Sequence, residues 1–386
     1  MAHRPRRPRL RTVATAAVAA GIVLAGAAAP GVAAADPGAG WTVTPLPVDK
    51  AALSRIATGG GTTFTVGFGL VGSGRDMYFT PFAARRAGGV WVTDPTPVPD
   101  GGSDGRLDDV AVLGPEDAWA VGRSEGQDTQ ALIEHWNGTA WSLADTSALP
   151  AGTGLTGVTA DRPDDVWAVG YTVLSDGVTP LVAHWDGTSW TQVQIPDSEG
   201  DTPWDRFWVS SVSASAPDDV WLVGVDGLAV HYDGRTWTRT PVAPGREVWL
   251  ERVRSDPAHG TWAVGYGVAT DGTRTPAALH WDGTAWQTAR LPADPGAQLE
   301  DLAFDSGAAL AVGYRMTGTG PVGYAVRVPA AGIPGHRVPL PAGVAQLNSA
   351  APAADGNGDG VWIAGDGVSS DPASFPPFAA RSMGQY

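Results

Sequence analysis

Two adjacent segments decide the fold of this chain: LTGVTADRPDDVWAVG from Leu155 to Gly170, and VAHWDGTSWTQVQIP from Val182 to Pro196. Together they predict four short β-strands: an L-x-x-V strand, a V-W-A-V-G strand, an alternating strand that ends at His184, and a strand that begins at the next tryptophan. The Asp-Gly pair between the third and fourth strands is a strong hairpin signal, because both central positions of that turn favour positive φ. The unit therefore predicts a small antiparallel sheet.

Copies of this unit run along the whole chain. The first half returns as EDAWAVG at Glu116, DDVWLVG at Asp218, GTWAVG at Gly260, TFTVG at Thr63, ALAVG at Ala309 and VWIAG at Val361. The second half returns as HWNGTAW at His135, HYDGRTW at His231 and HWDGTAW at His280, with ARRAGGVW at Ala84 as a degenerate copy. Phe64 and Trp362 are 298 residues and six intervals apart, so the period is about fifty residues. Such a repeat predicts an all-β chain, a single seven-bladed β-propeller of four-stranded antiparallel blades.

The two ends of the chain predict how the ring closes. The seventh unit has three strands and stops after FAARS at Phe378. DPGAGWTVTPLP from Asp36 resembles the fourth-strand segment DGTAWQTARLP from Asp282. We therefore expect Trp41 to Pro47 to form the outer strand of the last blade, which removes an exposed sheet edge.

The repeats resemble the kelch and galactose-oxidase central-domain group of propellers, together with secreted bacterial proteins that carry DDVWAVG and HWDGTSW repeats. The resemblance covers nearly all of residues 36–386, and it implies the fold rather than an activity, because propellers serve as enzymes, sugar binders and scaffolds. The copper chemistry of galactose oxidase needs a tyrosine crosslinked to cysteine, and this chain has no cysteine. A sialidase-like site is not indicated either, because no tyrosine stands at the expected strand entries.

Residues 1–35 have the order of a signal peptide: five arginines, an alanine-rich apolar stretch from Val13 to Ala29, and Ala33-Ala34-Ala35 as a cleavage site. Arg6-Arg7 resembles a twin-arginine signal, the alternative being general secretion. Removal of this segment leaves 20 basic against 40 acidic side chains, a net charge of about −20. We expect a secreted monomer without a membrane span that does not bind nucleic acid, because nucleic acids attract basic surfaces.

One face of the ring is the better candidate for binding. The loops between strands two and three, and those between blades, vary in length and open on this face, hereafter the loop-rich face. Three of the seventeen tryptophans fall outside the repeat positions, all in loops that enter blades four and five. With neighbouring charged residues they predict an aromatic shelf for a glycan or a peptide: Trp204, Asp205, Arg206, Trp208, Arg246 and Trp249. The alternative is that this loop only covers a blade edge.

A second candidate lies at the channel mouth, where first-strand residues share one register: Arg55, Asp109, Gly157, Ser211, Arg252, Asp301 and Ser349. The charged members Arg55, Asp109, Arg252 and Asp301 are candidate ligand-binding residues, the alternative being a solvated pore lining. The histidines that end the third strands are expected to be structural, because arginine replaces them in other blades. We expect them to pair with acids of the first turn: Asp117, Asp165 and Asp219.

A candidate metal site is the run Asp355-Gly-Asn357-Gly-Asp359, which is similar to the first half of a calcium loop. A closing carboxylate is missing at the expected position, so a glycine-rich turn is the alternative. No other cofactor is indicated.

The sequence leaves three functions open. The first is a secreted, non-catalytic propeller that binds a glycan, a polymer or a protein through its loop-rich face. The second is an extracellular hydrolase or lyase with its active site at the channel mouth, and the third is a scaffold of the cell envelope.

Overall fold

The repeat folds into seven four-stranded sheets. The structure, a computed structural model, describes residues 40–72, 78–98, 104–125, 129–175, 177–195, 208–242, 247–305, 308–329, 333–353, 360–369 and 376–382. Within each sheet the strands are antiparallel and follow one another in chain order, except where the chain ends meet. The prediction of an all-β, seven-bladed propeller is confirmed.

The strand bounds follow the repeat. Blade one contains β2 (Ala51–Gly59), β3 (Thr62–Val71), β4 (Tyr78–Ala87) and β5 (Val90–Asp94); blade two contains β6 (Asp104–Gly114), β7 (Asp117–Glu125), β8 (Thr129–Trp136) and β9 (Trp141–Leu143). Blade three contains β10 (Thr153–Arg162), β11 (Asp165–Leu174), β12 (Gly177–Trp185) and β13 (Trp190–Gln192); blade four contains β14 (Val209–Ala216), β15 (Asp219–Gly224), β16 (Ala229–Tyr232) and β17 (Trp237–Arg239), with a 3-10 turn at Val225–Gly227. Blade five contains β18 (Glu247–Asp256), β19 (Gly260–Val268), β20 (Arg274–Trp281) and β21 (Trp286–Thr288); blade six contains β22 (Ala297–Asp305), β23 (Ala308–Thr317), β24 (Gly320–Pro329) and β25 (His336–Arg337). Blade seven contains β26 (Val344–Pro352), β27 (Val361–Gly367), β28 (Pro377–Ser382) and β1 (Trp41–Val43).

The chain ends close the ring in blade seven, as predicted. Strand β1 pairs with β28 in antiparallel register, with Trp41 opposite Ser382 and Val43 opposite Ala380. The ladder continues through the amide of Thr44, which donates to the carbonyl of Ala379 at 2.9 Å. The outer strand is therefore three residues long rather than the seven expected from Trp41 to Pro47.

The hydrophobic core lies between the blades. In the described part of the chain each of the seven interfaces between neighbouring blades has its own cluster of buried apolar side chains. The tryptophan of strand two packs against the tryptophan that begins strand four of the next blade, as Trp119 does against Trp190 with ring centroids 5.6 Å apart. Blade-to-blade packing of this kind explains why the repeat retains both residues.

The residue that ends V-W-A-V-G is glycine in every blade for a steric reason. The first strand of every blade shifts register beside it, as between Leu250 and Arg252 in blade five. A Cβ atom added to Gly265 would lie 1.9 Å from the carbonyl oxygen of Trp249, and the other six equivalent glycines meet a first-strand oxygen at 1.8 to 2.1 Å. Only glycine allows the strands to approach this closely.

The third-strand histidines have the structural role that the sequence predicts. His135, His184 and His231 bond through Nε2 to Asp117, Asp165 and Asp219 at 2.9, 2.7 and 2.8 Å. Each ring also lies on the strand-two tryptophan of its own blade, with centroids 4.2 to 4.3 Å apart. These contacts fix the turns opposite the loop-rich face.

Candidate functional site

The predicted first-strand register forms the centre of the ring. Each of its seven residues stands directly after the register shift of its first strand. The guanidinium of Arg252 in blade five reaches Asp109 in blade two, with Nη1 to Oδ2 at 2.8 Å and Nη2 to Oδ1 at 3.0 Å. This bidentate pair joins two blades that are not neighbours.

Arg55 and Asp301 complete a cluster of two cations and two anions, hereafter the axial ion cluster. Nε of Arg252 lies 3.4 Å from Asp301, while Arg55 lies 3.5 Å from Asp109 and 3.9 Å from Asp301. The side chains of Asp109, Arg252 and Asp301 are at most 4 % exposed, and that of Arg55 is 14 % exposed. Arg254 adds a third guanidinium at the edge of this cluster, with Nη2 3.1 Å from Asp301, so both buried acids are paired with cations.

The acids of the axial ion cluster are held ionised. Burial alone would raise the pKa of Asp109, but the charges of Arg252 and Arg55 and the hydrogen bonds from Arg252 and the amide of Val158 together lower it below its usual value. The pKa of Asp301 is lowered in the same way: burial opposes ionisation, and Arg254, Arg252 and Arg55 overcome it. Amides and a hydroxyl add hydrogen bonds, including Val158 to Asp109 and Ser349 to Asp301. The structure thus places the four predicted channel residues together, with Arg252 and Asp109 hydrogen-bonded to each other and Asp301 hydrogen-bonded to Arg254, Ser349 and backbone amides.

The positions directly before Arg252 and Asp301 carry a second pair of acids, Glu251 and Glu300, which the sequence analysis did not assign to a site. Burial, and after it the neighbouring charge of Glu300, raises the pKa of Glu251, against Arg55 and Arg274. Burial also raises the pKa of Glu300. Each acid opposes ionisation of the other, so the pair can hold a proton.

Two residues that directly follow strand-two glycines, Tyr266 and Tyr314, lie near this acid pair. The guanidinium of Arg274 lies 4.4 Å from the ring centre of Tyr266 and bonds to Gln298. Burial, then the charge of Glu300, raises the pKa of Tyr314 to about 12. In blade seven the same position holds Asp366, whose pKa burial raises to about 7. The position after the repeated glycine was the signal that could have found these residues.

The predicted tryptophan shelf is described only in part. Trp208 lies on Tyr171 of blade three with centroids 4.5 Å apart, and Trp249 lies on Tyr266 of its own blade at 5.8 Å. Nε1 of Trp249 donates to Glu247 at 3.2 Å. Each indole is partly exposed beside a tyrosine. The remaining predicted shelf residues lie outside the described residues: Trp204, Asp205, Arg206 and Arg246.

The predicted calcium residues Asp355, Asn357 and Asp359 also lie outside the described residues, so this site stays a prediction. Within the ranges that the structure describes, no group of three or more His, Asp or Glu side chains could hold a metal ion. No helix in those ranges is long and apolar enough to cross a membrane.

Exposed apolar side chains gather on the loop-rich face. Nine of the fourteen large hydrophobic residues that are exposed in the described ranges lie at the tips of hairpins between strands two and three. These tip residues are Val71, Tyr78, Phe79, Val173, Leu174, Val178, Met316, Val322 and Val368. They belong to the hairpins of blades one, three, six and seven.

The comparisons with known proteins agree on the fold. No family model matches the chain, and no curated protein matches it. Among solved structures, YCF48 from Cyanidioschyzon merolae is similar at 14 % identity and a TM-score of 0.58, covering 89 % of this chain and 98 % of that one. YCF48 bound to D1 peptide aligns at 14 % identity and a TM-score of 0.54, covering 90 % and 97 %. The WD40 β-propeller domain of Doa1 aligns at 10 % identity and a TM-score of 0.55, covering 90 % and 98 %.

Proposed function

We propose that this chain is a protein-binding propeller that holds its partner on the loop-rich face. The observation that carries the proposal is the concentration of exposed hydrophobic side chains at the strand-two to strand-three hairpin tips. A soluble monomer rarely exposes a large apolar patch without an interaction that covers it. Hairpin tips on a rigid ring can present such residues without a change in the core.

The apolar tips continue across three neighbouring blades. Met316 and Val322 belong to blade six, Val368 to blade seven, and Val71 and Phe79 to blade one. Phe79 packs edge-on against Phe68 at 5.0 Å, which fixes its position at the tip. An arc of this kind suits an extended polypeptide segment better than a small ligand.

The charge of the chain favours a partner that is neutral or basic. The segment from 36 onward carries about 20 more acids than bases, and Glu300 and Asp366 lie inside the arc. One of the structures with this fold is of YCF48 bound to D1 peptide, which agrees with a polypeptide ligand for such a ring.

We also propose that the chain acts outside the cytoplasm after loss of residues 1–35, and that its repeats belong with the kelch group. Mass determination of the N-terminus of the exported protein tests the cleavage.

The test uses peptides selected for binding to the immobilised protein from a displayed random library. A loop-face variant carries Val71→Asn, Phe79→Asn and Val322→Asn; its matched control carries Val90→Asn and Val92→Asn on an outer strand. We expect the selected peptides to bind the loop-face variant at least about tenfold more weakly, a loss of about 1.4 kcal/mol, and the control unchanged. Equal binding to both variants would refute the proposal.

A glycan on the same face is the alternative ligand. Trp208 and Trp249 are partly exposed there and offer aromatic surfaces to a sugar ring. A glycan screen with the wild type and a Trp208→Ala, Trp249→Ala variant separates the two ligands. If the wild type binds a glycan, this variant does not, and no peptide is selected from the library, the ligand of this face is a sugar and not a protein.

A hydrolase or lyase at the channel mouth is the second candidate function. It is favoured by Glu251 and Glu300, a partly buried acid pair in which the pKa of each member is raised. General acid catalysis needs a carboxyl group whose pKa is raised toward neutrality. The enzyme would be supported if the wild type degrades a polymer that it binds and Glu251→Gln still binds this polymer but no longer degrades it. If the wild type binds the polymer without degrading it, the protein is not an enzyme for that polymer.

A further inference from the structure

A groove of about 440 Å³ lies between blades two and three, at the outer rim near the turns that are opposite the loop-rich face. Its aromatic wall consists of Trp119, Trp185 and Trp190, whose rings lie 5.2 to 6.0 Å apart. Trp185 is partly exposed, whereas the other two are buried. Polar side chains complete the lining: Asp117, His135, Ser142, Asp145, Ser147, Thr188 and Ser189.

The equivalent interface between blades four and five shows what this groove lacks. There Trp221 donates through Nε1 to Asp219 at 2.9 Å, and Trp286 donates to the hydroxyl of Thr240 at 3.0 Å. In the groove the equivalent indoles are Trp119 and Trp190, and among the described residues neither Nε1 has an acceptor, as is also true of Trp91, Trp141, Trp167 and Trp362 at other interfaces. These N–H groups are buried, so the feature that a ligand can use is the open space beside the partly exposed ring of Trp185.

Two residue differences distinguish the groove from the interface between blades four and five. Ala144 stands where blade four has Thr240: the two amides donate to the equivalent carbonyls of Ile133 and Ala229, both at 2.9 Å. Ala160 stands where blade five has Ser255, the residue that donates to Asp219 at 3.1 Å. The groove thus has two methyl groups where the other interface has two hydroxyl groups, which leaves more space in it.

We propose that this groove binds a neutral saccharide. A sugar presents an apolar C–H face to an exposed indole such as that of Trp185, and its hydroxyl groups both donate and accept hydrogen bonds. The carboxylates of Asp117 and Asp145 accept from hydroxyls, and the imidazole and hydroxyl groups around them provide both functions. The site rests on other residues than the loop-rich face, so it is independent of the proposed protein partner.

The charges of the groove select against anionic ligands. Hydrogen bonds from Ser147 lower the pKa of Asp145, so this carboxylate is charged at neutral pH. With Asp117 it repels anionic sugars and phosphate groups. A ligand with neutral hydroxyl groups can donate to these carboxylates and accept from the serine and threonine hydroxyls of the lining.

The experiment measures tryptophan fluorescence and heat of binding with cellotriose, maltotriose and chitotriose as neutral probes, and with glucuronic acid and glucosamine as charged ones. The wild type is compared with Trp185→Ala and with the matched control Trp281→Ala. Trp281 has the equivalent position in blade five, with its ring 5.2 Å from Trp221 and 5.7 Å from Trp286. We expect at least one neutral probe to bind in the millimolar range or tighter, Trp185→Ala to weaken it at least about tenfold, and Trp281→Ala to leave it unchanged.

A second variant, Ala144→Thr, introduces into blade two the hydroxyl that Thr240 has in blade four, and it removes no aromatic ring. We expect it to weaken binding of the same sugar while the melting temperature stays equal or rises, because the added hydroxyl fills the groove and accepts from Trp190. The proposal is overturned if no neutral probe binds, if the charged probes bind more tightly, or if both tryptophan variants lose binding equally.

Discussion

Glu134 gives the sharpest test of the packing between blades one and two. Its side chain is fully buried in strand β8, and neither carboxyl oxygen has a hydrogen-bond partner among the described residues. Residues two apart in a strand face the same side. Glu134 therefore shares its side with Leu132 and Trp136, which belong to the apolar cluster around Phe64. Burial raises the pKa of Glu134 from 4.5 to about 8.

The direction of the pH dependence follows from this pKa. Above pH 4.5 the unfolded chain loses the proton that the folded chain retains, so the free energy of unfolding falls as the pH rises and levels off above about pH 8. At about 1.4 kcal/mol per pH unit, Glu134 costs about 3 kcal/mol of stability at pH 7 relative to pH 4, and about 5 kcal/mol by pH 9.

The informative substitution is Glu134→Gln, which keeps the shape of the side chain but cannot ionise. We expect the variant to equal the wild type in stability near pH 4 and to exceed it by about 3 kcal/mol at pH 7. Urea unfolding followed by tryptophan fluorescence at intervals between pH 4 and 8 measures the difference. Glu116→Gln, which removes an exposed glutamate, is the control and should show no such trend. The reasoning would be refuted if the difference in free energy of unfolding between the wild type and Glu134→Gln stays constant between pH 4 and 8.

Three further predictions concern the ring itself. Gly265→Ala should lower the free energy of unfolding by about 2–4 kcal/mol, because its Cβ would meet the carbonyl of Trp249 at 1.9 Å; a melting temperature equal to that of the wild type would contradict this. Arg252→Ala should cost about 3–5 kcal/mol in urea unfolding, since it leaves Asp109 buried without its bidentate partner, and a double variant Arg252→Met, Asp109→Leu should cost less. Removal of residues 36–47 should expose the edge of β28, lower the melting temperature and cause association in size-exclusion chromatography. Removal of residues 383–386 is the control and should have none of these effects. A variant without residues 36–47 that is monomeric and as stable as the wild type would show that β1 does not close the ring.

The architecture could be predicted because the signal for each strand, turn and packing residue recurs in several copies of the repeat. The degenerate copies at Phe64 and Leu310 were recognisable from their spacing alone. The shared first-strand register was equally accessible, since its member lies nine or ten residues before the strand-two copy in six blades and thirteen residues before it in blade seven. The partners within the ring were not accessible: Arg252 and Asp109 are 143 residues apart, and no local pattern states which blades face each other across the axis.

The candidate sites were harder to predict because function and fold use different positions of the repeat. A residue that recurs in most blades, such as the strand-two glycine or tryptophan, is explained by packing that every blade needs. A departure from the repeat has no such explanation. Glu134 is such a departure, because the other blades have small or apolar residues there, such as Ala183. At the position of Ala144 the departure is Thr240 of blade four, because other blades have alanine or valine, such as Val193 and Ala289. Among the described residues the carboxyl oxygens of Glu134 and the indole N–H of Trp190 have no hydrogen-bond partner. Because unpaired buried polar groups cost free energy, such positions persist only where stability is surplus or a ligand repays the loss. The Glu134→Gln and Ala144→Thr variants separate these explanations: a gain in stability alone indicates surplus, and a gain in stability together with a loss of sugar binding indicates a site.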